Sequence, residues 1–178
     1  MQMTIRQEQP ADYPIVFELI EQAFRTMPFA DGDEQFLVEA LRKNKAFIPR
    51  LSLVAEVDNR VVGHILFTPL QIISSDTVYH SLTLAPVSVL PDYQNQGIGS
   101  GLIEEGHRIA RILGFNSCFV VGHPNYYPRF GYRQADVWGI SPPHGVPPEA
   151  FMAIELTPGA LNGVTGTVHF LPEFGIAE

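Results

Sequence analysis

The run from Leu82 to Gly114, LTLAPVSVLPDYQNQGIGSGLIEEGHRIARILG, constrains the fold more than any other stretch of the chain. It reads as a strand, a turn carrying two glycines, and an amphipathic helix over Gly97–Leu113. Ile98, Leu102, Ile109 and Leu113 recur on one helical face, and Gly114 stands where a C-cap glycine belongs. The turn is Gln94-Asn95-Gln96-Gly97-Ile98-Gly99, followed by Ser100. A turn of this kind at a helix start gathers free backbone N–H groups at one spot. The helix dipole adds partial positive charge there, so the spot favours a phosphate. Gly97 and Gly99 have no side chains to hold a phosphate off the backbone.

The rest of the chain supplies partners for that unit. A strand is expected over Thr4–Glu8 and a helix from about Asp12 to Phe24. Arg25–Asp33 reads as a loop, with Asp33 capping a second helix that ends near Asn44. LSLVAEV and VVGHILFTPLQII flank Asp58-Asn59-Arg60 and read as a hairpin. The central strand spans roughly Ser81–Leu90, and FNSCFVVGH is a short buried strand that pairs parallel to it. PNYYPRFGY makes a short helix or turn, SPPHGVPPE a rigid loop, and Phe151–Leu156 and Gly166–Leu171 two further strands. Pro86 sits inside the central strand and cannot donate to a ladder, so pairing with the next strand is expected to break near it. That frees backbone groups of Val87 and Val89. A plain edge strand is the simpler account of the same proline. The whole reads as one α/β domain over residues 1–178 with a mixed sheet.

Composition limits the function. A chain of 178 residues, 46% hydrophobic and 17% charged, is enough for one globular domain with a sizeable core. The formal net charge of −8 argues against broad nucleic-acid binding, which needs a basic face. An anionic cofactor must then be held by local donors and not by the overall field. No apolar run is long enough to span a bilayer, and the N-terminal residues lack the features of a signal peptide. The single cysteine, Cys118, lies in the apolar run SCFVV and reads as a buried small hydrophobe in a reducing, cytoplasmic compartment. The six histidines are scattered without metal-ligand spacing, so no metal site is expected.

Three glycine patterns precede helices. The dinucleotide pattern G-x-G-x-x-G is out of register, because Gly101 follows Gly97-Ile98-Gly99 too soon. The nucleoside-triphosphate loop needs G-K-[ST], and no lysine follows Lys45. The third pattern fits. Gln94-x-x-Gly97-x-Gly99 resembles the [RQ]-x-x-G-x-[GA] turn of the GNAT superfamily of N-acetyltransferases. Downstream, PNYYPRFGY is similar to that superfamily's second signature, with Tyr127 four residues before Gly131-Tyr132. The resemblance extends over the whole chain, and is strongest to a bacterial-type branch whose acceptors are mostly unassigned. It implies a mixed, mostly antiparallel central sheet, split between two parallel strands and flanked by helices. It implies acetyl-CoA as cosubstrate and no metal. The pyrophosphate would lie on the amides of Gln94, Asn95, Gln96, Gly97, Ile98, Gly99 and Ser100. The pantetheine arm would bond the backbone of Val87 and Val89, with Asn125 assisting from the far side. Tyr127 would be the general acid, or a donor to the leaving thiolate.

The chemistry can be weighed. A lysine-like amine has a pKa of about 10.4, so reaching its neutral form at pH 7.4 costs roughly 4 kcal/mol. The thiolate leaves with a pKa near 8.5 by analogy with cysteine, so full proton transfer from a phenol of about 10 is uphill by roughly 2 kcal/mol. A hydrogen bond from Tyr127 to the developing thiolate would suffice. The base stays open. Thr83 and Ser88 on the central strand cannot serve alone, which leaves His64, His123, Glu56 through water, or water itself. Asp31, Asp33 and Glu34 either greet a cationic acceptor or form a solvated loop and helix cap. The expected activity is transfer of an acetyl group to a primary amine of a small molecule or peptide, with no nucleic-acid or membrane partner; a homodimer stays open. The alternative is a catalytically silent acyl-CoA-binding sensor or adaptor.

Overall fold

The computed structural model describes residues 1–28 and 30–176. The chain forms two compact units. The first comprises Met1–Phe67 and Pro86–Ile109; the second comprises Thr68–Ala85 and the chain from Ala110 onward.

In the first unit β1 (Met3–Gln7) leads to α1 (Tyr13–Phe24) and α2 (Glu34–Arg42). Proline stands in the first turn of α1, where its missing N–H costs nothing. Val16, Leu19, Ile20 and Ala23 form the buried face of that helix. Asp33 takes the N-cap position of α2, but its carboxylate makes no capping bond, contrary to the sequence expectation. Its ψ of 8° is far from the extended backbone that side-chain capping uses. Its carbonyl instead receives the amides of Phe36 and Leu37. β2 (Ser52–Val57) and β3 (Arg60–Ile73) follow, and β2 lies antiparallel between β1 and β3. Asp58 and Asn59 join them with φ of 50° and 64°, the left-handed pair that a two-residue type I′ turn requires.

β4 (Val78–Val89) and α3 (Ile98–Ile112) complete the strand–turn–helix run, and Gly114 ends it at φ 90° as the sequence implies. β3 and β4 each give residues to both units. Where β3 lies under α3, glycines set the spacing. A Cβ on Gly63 would stand 2.9 Å from Ile98 Cγ2 and 3.0 Å from Leu102 Cδ1. One on Gly106 would stand 2.1 Å from Phe67 Cε2, and Phe67 is fully buried.

The second unit adds β5 (Ser117–Val121), β6 (Arg133–Gln134), β7 (Phe151–Glu155) and β8 (Thr167–His169). Its strand order is β3-β4-β5-β7-β6, with β8 on β3. β5 is parallel to β4, while β7 and β8 pair antiparallel to their neighbours. The sheet is thus mostly antiparallel with one parallel pair, as the resemblance implies. That pair is short: Leu82 faces Cys118 and Thr83 faces Phe119, both short of Pro86. Phe119 and Phe151 stack at 5.5 Å in a core with Leu70, Ile140 and Leu161. Sequence reading misses β6, because a two-residue strand has no period to detect.

Gly106→Ala tests the packing of α3. A helical Gly→Ala change ordinarily gains about 1 kcal/mol, but overpacking costs about 1–3 kcal/mol. The methyl would strike a fully buried ring, so the cost wins. The expected outcome is a melting temperature several degrees below that of the parent.

Candidate functional site

The turn before α3 has the shape of an anion cradle. Gln94 is extended, Asn95 is left-handed at φ 60°, and Gly97 is left-handed at φ 83°. Left-handed residues alternating with right-handed or extended ones turn successive N–H groups to one side, and the start of α3 adds its own unpaired amides. Asn is among the few side chains that enter this region readily. Around Gly97 a Cβ would meet no atom within 4 Å, so glycine is needed there for its φ and for an open approach, not to relieve a clash. Gly97 carbonyl then accepts the Gly101 amide at 2.9 Å. The side chains of Gln94 and Gln96 brace the loop: Gln94 Nε2 donates to Val89 carbonyl and Gln96 Nε2 to Asp92 carbonyl, both at 3.1 Å. The structure therefore joins Gln94–Ser100 to the end of β4. Val87 and Val89 lie there half-buried, on either side of buried Ser88.

Tyr127 lies in the second unit, at the start of a short 3₁₀ turn over Tyr127–Phe130 that ends at Gly131 with φ 101°. It is 8% exposed. Its ring rests on the Gly122 backbone, where a Cβ would come within 2.3 Å of it. Tyr126 and Tyr132 meet the ring edge-on, at 5.1 and 5.6 Å. Burial, ahead of the neighbouring Tyr126 and Cys118, holds the Tyr127 phenol well above its ordinary range. Burial likewise pushes the Cys118 thiol up to about 12, which makes it an inert core group. Asn125 is exposed, and its backbone N–H donates to His123 Nδ1 at 3.2 Å.

The base candidates are separated by what surrounds them. His123 is exposed, and its Nδ1 lone pair already accepts from Asn125. Glu56 accepts from Arg6 at 2.7 Å, and Arg6 also holds Asp12 at 2.7 Å. His64 is fully buried in a cluster that no sequence spacing reveals. Its Nε2 lies 3.0 Å from Ser52 Oγ, and Ser52 donates to Glu8 Oε2 at 2.5 Å. Arg42 binds the other carboxylate oxygen of Glu8. Burial alone would raise Glu8. The hydrogen bond of His64, then those of Arg42 and Ser52, outweigh it and hold the carboxyl at about 2. Of the acidic loop residues, Asp31 and Glu34 are brought together, the Asp31 amide donating to Glu34 at 3.1 Å. With Glu21 and Gln35 they line a cavity of about 280 Å³. Among the described residues no group of three or more His, Cys, Asp or Glu side chains is placed to hold a metal. No helix among them is long and apolar enough to cross a membrane.

This fold and turn match known proteins. Residues 49–134 fit the family model described as an acetyltransferase (GNAT) domain. The uncharacterized N-acetyltransferase YjhQ of Escherichia coli K12 is 37% identical over 70% of this chain and 69% of its own length. The uncharacterized N-acetyltransferase YhbS of the same strain is 31% identical over 97% and 98%. The chain belongs to the GNAT family of N-acetyltransferases. Among solved structures, a GNAT family acetyltransferase from Brucella melitensis in complex with acetyl-CoA superposes with a TM-score of 0.79, at 35% identity over 97% of this chain and 98% of that one. Escherichia coli YhbS in complex with CoA gives 0.87 at 29% identity, over 98% and 93%.

Glu8 predicts an acid dependence. Its folded pKa lies below its ordinary value, so the stabilisation is complete above about pH 4.5 and is lost as pH falls toward 2. Glu8→Gln leaves Arg42 buried without its charge partner, at a cost on the order of 3 kcal/mol at pH 7. Urea unfolding across pH should show the gap between parent and variant narrowing from pH 4.5 downward.

Proposed function

We propose that the protein transfers the acetyl group of acetyl-CoA to a primary amine of a small molecule or peptide. The observation that carries this reading is the Gln94–Ser100 turn, with Asn95 and Gly97 both left-handed at the start of α3. Its amides suit a pyrophosphate, and the similar Brucella melitensis and Escherichia coli proteins are seen with acetyl-CoA and CoA. With a net charge of −8, attraction from the whole molecule does not help, so these local donors must supply the affinity. In this reading the backbone of Val87 and Val89 takes the pantetheine arm, and Asn125 assists.

Tyr127 is assigned the donor role. Its raised pKa keeps the phenol protonated throughout the neutral range, so it is ready to donate and unable to act as a base. Burial also makes a hydrogen bond from its hydroxyl worth more to a developing thiolate than the same bond in water. The acceptor's positive charge would be met by acidic groups, of which Glu21, Asp31 and Glu34 around one cavity are the available set.

Thermal melting tests the ligand. Acetyl-CoA at about a hundred times its dissociation constant should add roughly 2.7 kcal/mol of stability, which raises the midpoint by several degrees. CoA should do nearly as well, and NAD and ATP should not. A larger shift with NAD would replace this reading with a dinucleotide site.

Turnover tests the tyrosine. Tyr127→Phe keeps the ring and its packing but removes the hydroxyl. Release of CoA thiol should fall about a hundredfold, with acetyl-CoA affinity little changed. Tyr126→Phe should be milder. Full turnover in both variants would assign the thiolate's proton to water.

A further inference from the structure

The cavity of about 280 Å³ beside the loop between α1 and α2 is one-sided in its polar atoms. Gln35, from the first turn of α2, lines it and is 5% exposed. Its Nε2 donates to the Gly32 carbonyl at 3.1 Å. A carbonyl can only accept, so the amide cannot be turned round, and the atom left over is the oxygen. That Oε1 is buried and has no hydrogen-bond partner among the described residues. Glu34, one position earlier, repeats the pattern. Its Oε1 accepts the Asp31 amide at 3.1 Å, and its Oε2 is buried without a partner among the described residues. Buried polar atoms are normally satisfied, so two orphan acceptors at one cavity call for a ligand that donates.

The charges agree on the sign of that ligand. Glu21, Asp31 and Glu34 line the cavity against one cation, Arg25, whose side chain is 66% exposed and turned to Glu21 at 3.9 Å. The start of α2 adds about half a positive charge, which leaves the lining negative. Among the described residues no group of three or more His, Cys, Asp or Glu side chains is placed to hold a metal, so the donor is organic. Phe24, Met27 and Ala30 give the cavity an apolar side. An alkyl chain ending in a primary ammonium matches both halves. Its methylenes suit the apolar side, and its N–H groups suit Gln35 Oε1 and Glu34 Oε2.

We propose that this cavity holds the cationic end of a diamine or polyamine acceptor, and that the acetyl group goes to the other amine. This rests on the acetyltransferase reading above. Carboxylates and orphan acceptors favour the charged form of an amine bound among them and so raise its pKa. Only about one lysine-like amine in a thousand is neutral at pH 7.4, and this surrounding lowers that fraction further. An amine seated here is therefore an anchor and not the nucleophile. The nucleophile is the amine at the far end of the chain. In its neutral form that nitrogen bonds the acetyl carbon, the C–S bond breaks with its electron pair going to sulfur, and the proton lost by nitrogen leaves to solvent.

Binding and turnover test this separately, with cadaverine, pentylamine and pentyltrimethylammonium as probes. Without acetyl-CoA, nitrogen-15 NMR should show the Gln35 side-chain amide shifting as cadaverine or pentylamine is added. Pentyltrimethylammonium, which has no N–H to give, should leave it in place. With acetyl-CoA, cadaverine should be acetylated at one end. Pentylamine, held by its only amine, should compete with cadaverine and stay unmodified. Gln35→Met should raise the KM for cadaverine about tenfold and change kcat far less. Glu34→Gln, at a half-buried position, should do the same and carries the test if Gln35→Met fails to fold. A parent-like KM in a folded variant of either kind would overturn the proposal. So would a Gln35 amide that does not shift, the result expected if trapped water satisfies the two oxygens, and so would acetylation of pentylamine as fast as cadaverine. Each of these leaves the acetyltransferase reading in place. A parent protein that binds cadaverine at Gln35 but releases no thiol from acetyl-CoA with any amine would overturn the acetyltransferase reading, and the acceptor role of this cavity with it.

Discussion

The close seating of α3 on the strands of the first unit is the constraint on which the Gln94–Ser100 turn depends. Gly63 and Gly106 remove the side chains that would hold helix and strand apart, and Ile98, Leu102 and Phe67 fill the space gained. Gly101 does the same toward Met3 and Ile5 of β1. The helix start is thereby fixed from below, and so are the directions of its first amides. The pyrophosphate cradle proposed for this turn would work only if its donors are held in place before the ligand arrives. The bracing bonds from Gln94 and Gln96 secure the loop side of the same cradle.

Tyr127 illustrates a different use of burial. In water a phenol is a weaker acid than a thiol by about 1.5 pKa units, so a tyrosine would not hand its proton over fully to a leaving thiolate. Packing Tyr127 on the Gly122 backbone, between Tyr126 and Tyr132, raises its pKa and keeps its proton on. A phenol held in that state is a hydrogen-bond donor that does not ionise. Such a donor suits the role proposed for Tyr127, in which it would stabilise charge that develops on sulfur and leave the final protonation to solvent. Cys118, buried nearby and raised to about 12, offers no competing thiolate.

Local features were legible in the sequence, and long-range ones were not. The Gln94–Gly99 turn, the helix after it, the C-cap at Gly114 and the Asp58–Asn59 hairpin all rest on neighbours within a few residues, and each appears as expected. Pro86 correctly marked where the parallel pairing gives out. Asp33 misled because a cap needs a backbone angle as well as the right residue type. Gly63 and Gly106 passed unnoticed, since nothing near them in sequence says that Ile98 and Phe67 press against them. The cluster at His64 was invisible for the same reason. Ser52 is 12 positions away, and Glu8 is a further 44 from Ser52.

That cluster also explains why a buried ion pair is worth keeping. Glu8 and Arg42 are both almost fully removed from solvent, and burying two charges costs more than their attraction reliably returns. Apolar residues of the same volume would pack as well. They could not set a tautomer. With His64, Arg42 and Ser52 beside it, Glu8 stays ionised and can only accept, so Ser52 must donate to it and accept from His64 Nε2. Were Glu8 protonated, it could donate to Ser52. The serine proton would then turn toward Nε2, and the ring proton would move to Nδ1. The ionised Glu8 therefore decides, two hydrogen bonds away through Ser52, which nitrogen of His64 faces the serine with its proton, and the other, Nδ1, is the one the ring leaves without a partner among the described residues.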